Sequence, residues 1–310
     1  MIRPPALSPG ARIALVAPAG PLAEGAVDRA IARVRDWGFV PVEGEHVRKR
    51  HGYLAAPDAE RAADFNAALR DPSVNAVWCL RGGYGVMRIV DAIDWDALER
   101  RPRPVIGFSD NTALHLAIRR LGIVSFHGPH PATVEFNDFS AAVLRRLLTS
   151  GDPAGLLPFP TEDGRAETMR GGAAEGPLVG GNLSLIAATL GTPFAIRAEG
   201  AILFLEEVGE ASYRVDRLLS QLRLAGVLHS VAGIALGGFT ETPDEGEEGA
   251  TPLAEVVADR LGDLGIPVAL GFPFGHVDDN WTLPVGVRAR LDADAGTLEL
   301  LESAVTGGGL

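Results

Sequence analysis

The chain has 310 residues, 46% hydrophobic and 22% charged, with 38 glycines and 22 prolines; that balance belongs to a globular chain long enough for two domains and a sizeable core, and it excludes low complexity. No apolar stretch approaches the length of a membrane span. A formal charge of −12 argues against nucleic acid or an anionic membrane as the main partner, since both reward a basic face, and suits a cationic or zwitterionic small molecule better.

The N-terminal Met1-Ile2-Arg3-Pro4-Pro5 lacks the basic, apolar and small-residue order of a signal peptide, so a cytoplasmic location is expected. The run 12–20, Arg-Ile-Ala-Leu-Val-Ala-Pro-Ala-Gly, reads as a strand buried on both faces of a parallel sheet and ended by a turn. A helix is expected over 24–37, with Val27, Ile31, Val34 and Trp37 at helical spacing, and a short strand over 39–42. Asp58 can cap a helix through Ala62, Phe65 and Leu69, and a third strand covers 74–80. Its single cysteine, Cys79, reads as a packed core thiol; one cysteine excludes a disulfide framework and a multi-cysteine metal site. Arg81-Gly82-Gly83-Tyr84-Gly85 then forms a glycine loop, a helix follows over 86–93, and an apolar run leads into Ser109.

Strands alternating with helices make the first half an α/β unit, here expected as a Rossmann-like parallel-sheet domain over 1–149. From 150 to 175 the chain is rich in Gly, Pro, Thr and charge without periodicity, the composition of a linker. The remainder, 176–310, reads as a C-terminal α/β (α+β) domain. Its expected elements are a helix from about 183 to 190, a strand over 201–205, a helix over 213–225, a strand over 231–239, a helix over 253–261, a strand over 267–272 and a terminal hairpin over 287–301. The stretch 241–249, with five acids, reads as a solvated loop rather than a metal site.

Chemistry concentrates at strand ends. Gly107-Phe108-Ser109 is the first half of the G-x-S-x-G elbow that exposes a nucleophilic hydroxyl above a sheet, but Asn111 stands where that motif has its second glycine. Ser109, Asp110 or Asn111 could equally cap the following helix. A serine nucleophile needs a base, a group orienting that base, and donors for the oxyanion. Candidates are His276 in its Gly-His loop, Glu206 after the apolar 202–205 run, and the backbone amides of Gly82, Gly83 and Asp110. Rivals exist: Glu207 or Glu210 for the acid, and His127 or His130 for the base. His115, on the helix after Ser109, reads as packing. The two-histidine spacing of 127 and 130 has no acidic ligand at a recognised distance, so no metal is expected. A different class, a non-catalytic nucleotide- or sugar-binding protein with Gly82-Gly83 cradling a phosphate, lacks the G-x-G-x-x-G pattern.

Taken in order, six segments resemble the LD-carboxypeptidase family of serine peptidases, which also contains the microcin C immunity proteins. They are Val16-Ala17-Pro18-Ala19, Arg81 to Gly85, Gly107-Phe108-Ser109-Asp110, Gly180-Gly181-Asn182-Leu183, Leu205-Glu206-Glu207-Val208-Gly209-Glu210, and Gly275-His276 with Asn280 and Leu283-Pro284-Val285-Gly286. Glu207 departs from the Asp usual in the family. The resemblance covers nearly the whole chain and implies a Ser109, Glu206 and His276 triad, with oxyanion donors at Gly83 and Asp110. It also implies hydrolysis of the L,D-amide before a terminal D-alanine in cytoplasmic murein tetrapeptides, no metal or cofactor, and a homodimer. An immunity-type peptidase cleaving aminoacyl-nucleotide conjugates would need a base-stacking aromatic, for which Trp281 is the candidate.

Overall fold

Short apolar runs become strands of the first unit because both their faces are covered. In the computed structural model, which describes residues 1–134, 136–244, 246 and 249–307, the chain divides into two units. The first comprises Met1–Pro153, Thr282–Gly286 and 303–307; the second comprises Ala154–Trp281 and Val287–Glu302. In the first, β1 (Arg12–Val16), β2 (Val40–Glu43), β3 (Ala76–Cys79), β4 (Val105–Gly107) and β5 (Ser125–His127) pair in parallel in the order 2-1-3-4-5. Leu283–Val285, β12 in chain order, pairs antiparallel beyond β5. The inner strands β1, β3 and β4 are buried almost throughout, whereas the edge strand β2 is half exposed.

Helices α1 (Ala26–Asp36), α2 (Asp58–Arg70), α3 (Trp95–Arg100), α4 (Thr112–Arg120) and α5 (Asp138–Thr149) connect or follow these strands. Phe65 and Leu69 of α2, Leu98 of α3, and Leu114 and Ile118 of α4 pack with Val77 and Cys79 in one buried cluster. Burial there pushes the Cys79 thiol well above its ordinary pKa, as an inert core thiol requires. Strand order reverses between β1 and β3, the place where open α/β sheets bind ligands beyond the carboxyl ends of their strands.

Two local expectations fail. The stretch 86–93 is not one helix but two single 3-10 turns, Val86–Arg88 and Val90–Ala92. Asp94 caps α3 by accepting from the Ala97 amide, and Ile93 is extended before it. Asp58 does not cap α2 either: Pro57 holds the N-cap position, and the Asp58 carboxylate instead receives the guanidinium groups of Arg61 and Arg88.

The second unit carries one eight-stranded mixed sheet of β6 (Gly155–Leu156), β7 (Glu167–Arg170), β8 (Ala173–Asn182), β9 (Ile202–Val208), β10 (Gly233–Thr240), β11 (Val268–Leu270), β13 (Arg288–Asp292) and β14 (Thr297–Leu300). Its order is 6-14-13-8-9-10-11-7, parallel across β8 to β11 and antiparallel on both flanks. Helices α6 (Leu183–Thr189), α7 (Ser212–Leu224), α8 (Val227–Ser230) and α9 (Leu253–Leu261) complete the unit. The stretch expected as a linker thus supplies β6 and β7, and 282–286 with 303–307 return to the first unit rather than staying with the second half.

Strand β8 is ten residues long although glycine is depleted in strands. The cause is close backbone approach: a Cβ on Gly180 would lie 1.8 Å from the Phe204 carbonyl oxygen, and one on Gly176 would lie 2.2 Å from that of Gly200. Of the acidic stretch 241–249, Glu245, Glu247 and Glu248 lie outside the described residues; Asp244 accepts from the Ser212 amide at 2.9 Å at the start of α7.

Candidate active site

In the first unit the candidate nucleophile lies in the turn from β4 into α4. Ser109 has φ +62°, one of two non-glycine residues with positive φ among those described. For an L-residue that conformation is strained, and it is the geometry of an elbow that lifts a hydroxyl off the end of a strand. Ser109–Asn111 form a 3-10 turn, and the N-cap position of α4 belongs to Asn111, whose side chain accepts no capping bond, so the capping explanation does not hold for Ser109.

The surroundings account for the missing second glycine. Asn111 is fully buried, lies in the right-handed region, and turns its amide back to donate to the carbonyls of Phe108 at 3.0 Å and Arg81 at 3.3 Å. It also donates to His130 Nε2 at 2.9 Å, which accepts from the Phe108 amide at 3.3 Å as well. That nitrogen braces the elbow, so His130 is not poised as a base there. His115 is fully buried; its Nε2 donates to the Gly107 carbonyl at 2.7 Å and its Nδ1 meets Ser125 Oγ at 2.9 Å. Burial lowers its pKa to about 4, so it stays neutral and pins α4 to the end of β4. His127 is buried on β5, its ring 5.9 Å from that of Phe108.

The glycine loop after β3 closes on this elbow. A Cβ on Gly82 would lie 2.7 Å from Ser109 Cβ, 2.9 Å from its Oγ and 3.4 Å from the Asp110 nitrogen. The Gly82 carbonyl accepts from the Gly20 amide at 3.0 Å, and Gly83 takes φ +105°. The Asp110 carboxylate accepts from the Val86 amide at 2.9 Å. Burial raises the Asp110 pKa to about 6, against the lowering effects of that amide and of Arg61. The Val86 amide, which a phosphate cradle would need, is therefore already engaged, and the stretch behind it is a single 3-10 turn rather than a helix. Gly82 is pressed against the hydroxyl, and the doubled glycine at a strand end is the trace that this contact leaves in the sequence.

In the second unit the candidate acid and base are built on β9 and the loop after β11. Glu206 and Glu207 are consecutive in β9, so their side chains take opposite faces. Glu206 is fully buried and its Oε2 accepts from His276 Nδ1 at 2.7 Å. Glu207 serves α6 instead: it accepts from Asn182 Nδ2 and the Ser184 amide, each at 2.8 Å, and from the Val208 amide at 3.0 Å. Glu210 pairs with Arg214 at 3.3 Å on the surface. Of the three candidate acids, only Glu206 meets the imidazole.

The His276 loop is seated on a bulge. Pairing of β10 with β9 shifts register between Leu236 and Phe239, and there the Gly238 amide donates to the Phe274 carbonyl at 2.9 Å. Thr240 Oγ1 donates to the His276 carbonyl at 3.2 Å, and the Gly275 amide donates to Asn280 Oδ1 at 3.2 Å. A Cβ on Gly275 would lie 2.6 Å from Glu206 Cβ, so glycine lets the loop close over the carboxylate. Burial opposes protonation of His276, but the hydrogen bond to Glu206 and the charges of Glu206, Glu207 and Glu241 outweigh it and raise its pKa above the ordinary imidazole value. Trp281 is fully buried and its indole donates to the Pro158 carbonyl at 2.5 Å; it is a core anchor, not a stacking platform. Among the described residues no three His, Cys, Asp or Glu side chains gather as a metal-binding group, and no helix is long and apolar enough to cross a membrane.

Comparison with known proteins supplies the context. Residues 13–128 match the LD-carboxypeptidase N-terminal domain and residues 175–291 the LD-carboxypeptidase C-terminal domain. A Streptomyces coelicolor protein provisionally named a carboxypeptidase is 46% identical, over 97% of this chain and 96% of its own. The murein tetrapeptide carboxypeptidase of Pseudomonas aeruginosa is 34% identical, over 91% of this chain and 94% of its own. The crystal structure of muramoyltetrapeptide carboxypeptidase from Oxalobacter formigenes superposes with a TM-score of 0.83 at 32% identity, covering 93% of this chain and 97% of that one.

Proposed function

The chain belongs to the LD-carboxypeptidase family of serine peptidases, and from that premise we propose that it hydrolyses the L,D-amide before the C-terminal D-alanine of cytoplasmic murein tetrapeptides, as a homodimer that serves cell-wall recycling. Ser109 is the nucleophile, His276 the general base and Glu206 the carboxylate that orients it; the Gly83 and Asp110 backbone amides receive the oxyanion. The observation that carries this reading is the strained φ of +62° at Ser109, because such strain is kept where a turn must present a functional group.

With Glu206 holding Nδ1, His276 takes the proton of Ser109 Oγ on Nε2 as that oxygen attacks the peptide carbonyl carbon. The carbonyl oxygen becomes an alkoxide bound by the two amides. When the tetrahedral intermediate collapses, the C–N bond breaks and His276 gives the proton to the departing D-alanine nitrogen. Water then attacks the acyl-enzyme ester with His276 as base again, and Ser109 recovers its proton as the peptide acid leaves. No step in this scheme calls on a metal or cofactor.

The test is D-alanine release from a murein tetrapeptide by the purified protein, with the Ser109→Ala variant alongside. A loss of several orders of magnitude is expected in the variant, and undiminished turnover by it would refute the serine mechanism. The immunity-type alternative is weakened by the burial of Trp281, which removes the candidate base-stacking side chain. Faster cleavage of an aminoacyl sulfamoyl nucleoside than of the tetrapeptide would restore that alternative.

A further inference from the structure

Arg61, on α2, is 2% exposed, and its guanidinium gathers segments that are distant in sequence. Nε donates to the Ala56 carbonyl at 3.1 Å and Nη1 to the Gly85 carbonyl at 2.9 Å, and Nη1 donates to the Pro18 carbonyl as well. Nη2 meets Asp58 Oδ1 at 2.5 Å, and Asp58 is held from the other side by Arg88 at 2.7 Å. Pro18 follows β1, Ala56 precedes α2, and Gly85 closes the glycine loop after β3. A rigid planar fork sets the separation of such segments in a way a flexible ammonium cannot.

The loop so held is the one that meets the nucleophile. Gly82 lies against Ser109, and Val86, next to Gly85, donates to the carboxylate of Asp110. We infer that Arg61 is a positioning residue that keeps the Gly82–Gly85 turn in register with the Ser109 elbow, so that the Gly83 amide is aimed at the oxyanion. This rests on the proposed role of Ser109.

The same unit provides a matched control. Arg103 is also 2% exposed and also gathers backbone carbonyls, those of Ala68, Asp71 and Val74 at 2.9, 3.1 and 2.9 Å, but it does so before β3 rather than after it. A role confined to stability predicts similar consequences for the two arginines; positioning predicts different ones.

The experiment compares Arg61→Gln, Arg61→Lys and Arg103→Gln in the full chain, well below each melting temperature, by D-alanine release over a range of substrate concentrations and by amide hydrogen exchange. For Arg61→Gln we expect kcat to fall about 10²-fold with KM within about three-fold, as for a displaced oxyanion donor, and exchange to quicken across residues 83–86. Arg61→Lys should recover part of that kcat. Arg103→Gln should lower the melting temperature but keep kcat within about two-fold of wild type, because the loops it ties carry no catalytic group. Equal kcat in the two glutamine variants, or unchanged exchange at 83–86 in Arg61→Gln, would overturn the inference. If Arg61→Gln does not fold, the lysine variant decides: wild-type kcat overturns the role, and a kcat lowered at least about five-fold at wild-type KM supports it. A wild-type chain that releases no D-alanine refutes the proposed substrate, and the exchange comparison then decides the positioning role.

Discussion

Gly82→Ala isolates the packing of the glycine loop on Ser109. Gly82 is not among the glycines with left-handed φ, so alanine meets no backbone penalty there and the effect is steric. Its Cβ would sit 2.7 Å from Ser109 Cβ and 2.9 Å from Oγ, where a relaxed carbon contact needs about 3.5–4.0 Å. Loop and elbow must therefore part by about 1 Å, against the Gly20–Gly82 and Val86–Asp110 hydrogen bonds that tie them. Overpacking of that size costs about 1–3 kcal/mol of stability, whereas a misplacement of about 1 Å at reacting groups costs about 10²-fold in rate. Gly83→Ala separates the two quantities differently: its Cβ finds ordinary contacts, the nearest Gly20 Cα at 3.5 Å, but its φ of +105° strains the backbone by about 1–3 kcal/mol. The assay is D-alanine release coupled to a D-amino-acid oxidase, read beside a thermal melt. A folded Gly82→Ala variant with wild-type kcat would refute the claim that this contact sets the catalytic geometry.

Three further outcomes follow from the site. Ser109→Gly should be more stable than Ser109→Ala by about 1 kcal/mol, the reverse of the order in a helix, because only glycine adopts φ +62° without strain; paired denaturant titrations check it, and both variants should lack activity. Glu206→Gln should lower kcat and move the acid limb of kcat/KM toward lower pH. The sign follows from the raised pKa of His276: as a base it works only when neutral, so wild-type activity rises with pH through a midpoint above the ordinary imidazole value of about 6.5, and losing the Glu206 charge brings that midpoint down. The same raised pKa contributes stability that is fully present below the unfolded-state value and is lost as pH rises through the folded-state value. An acid limb that stays put in Glu206→Gln would contradict the pairing. Glu207→Ala removes a buried acceptor of three hydrogen bonds and should cost about 2–3 kcal/mol while harming kcat far less than Glu206→Ala; urea denaturation and turnover measured together test the division of labour.

The candidate site was unevenly legible in the chain. Ser109, Glu206 and His276 each stand at the end of an apolar run, and the alternation of runs with helical spacing was enough to put each near a strand terminus. Choosing among neighbouring acids was not possible from spacing. Glu206 and Glu207 differ by one position in a strand, and the pleat, which sends one to the imidazole and the other to the α6 N-terminus, exists only once the strand forms. His130 likewise offered itself as a base until the buried amide of Asn111 occupied its Nε2.

Period and punctuation in the sequence determined that the first unit would be a parallel α/β sheet, because strands buried on both faces must be apolar throughout and that signal is local. It could not supply β8, whose glycines carry no strand signal until β9 comes close enough to exclude any side chain, nor the edge strands β6 and β7, which bury too little to leave a periodic trace. Nor could it foresee that 282–286 returns to the first sheet, since register between segments more than a hundred residues apart is settled by which edge remains unpaired. Tertiary structure decided which glycine touches Ser109, which acid meets His276 and which buried arginine ties the glycine loop, because contact, burial and strain arise only when distant backbone segments are brought within a few ångströms of one another.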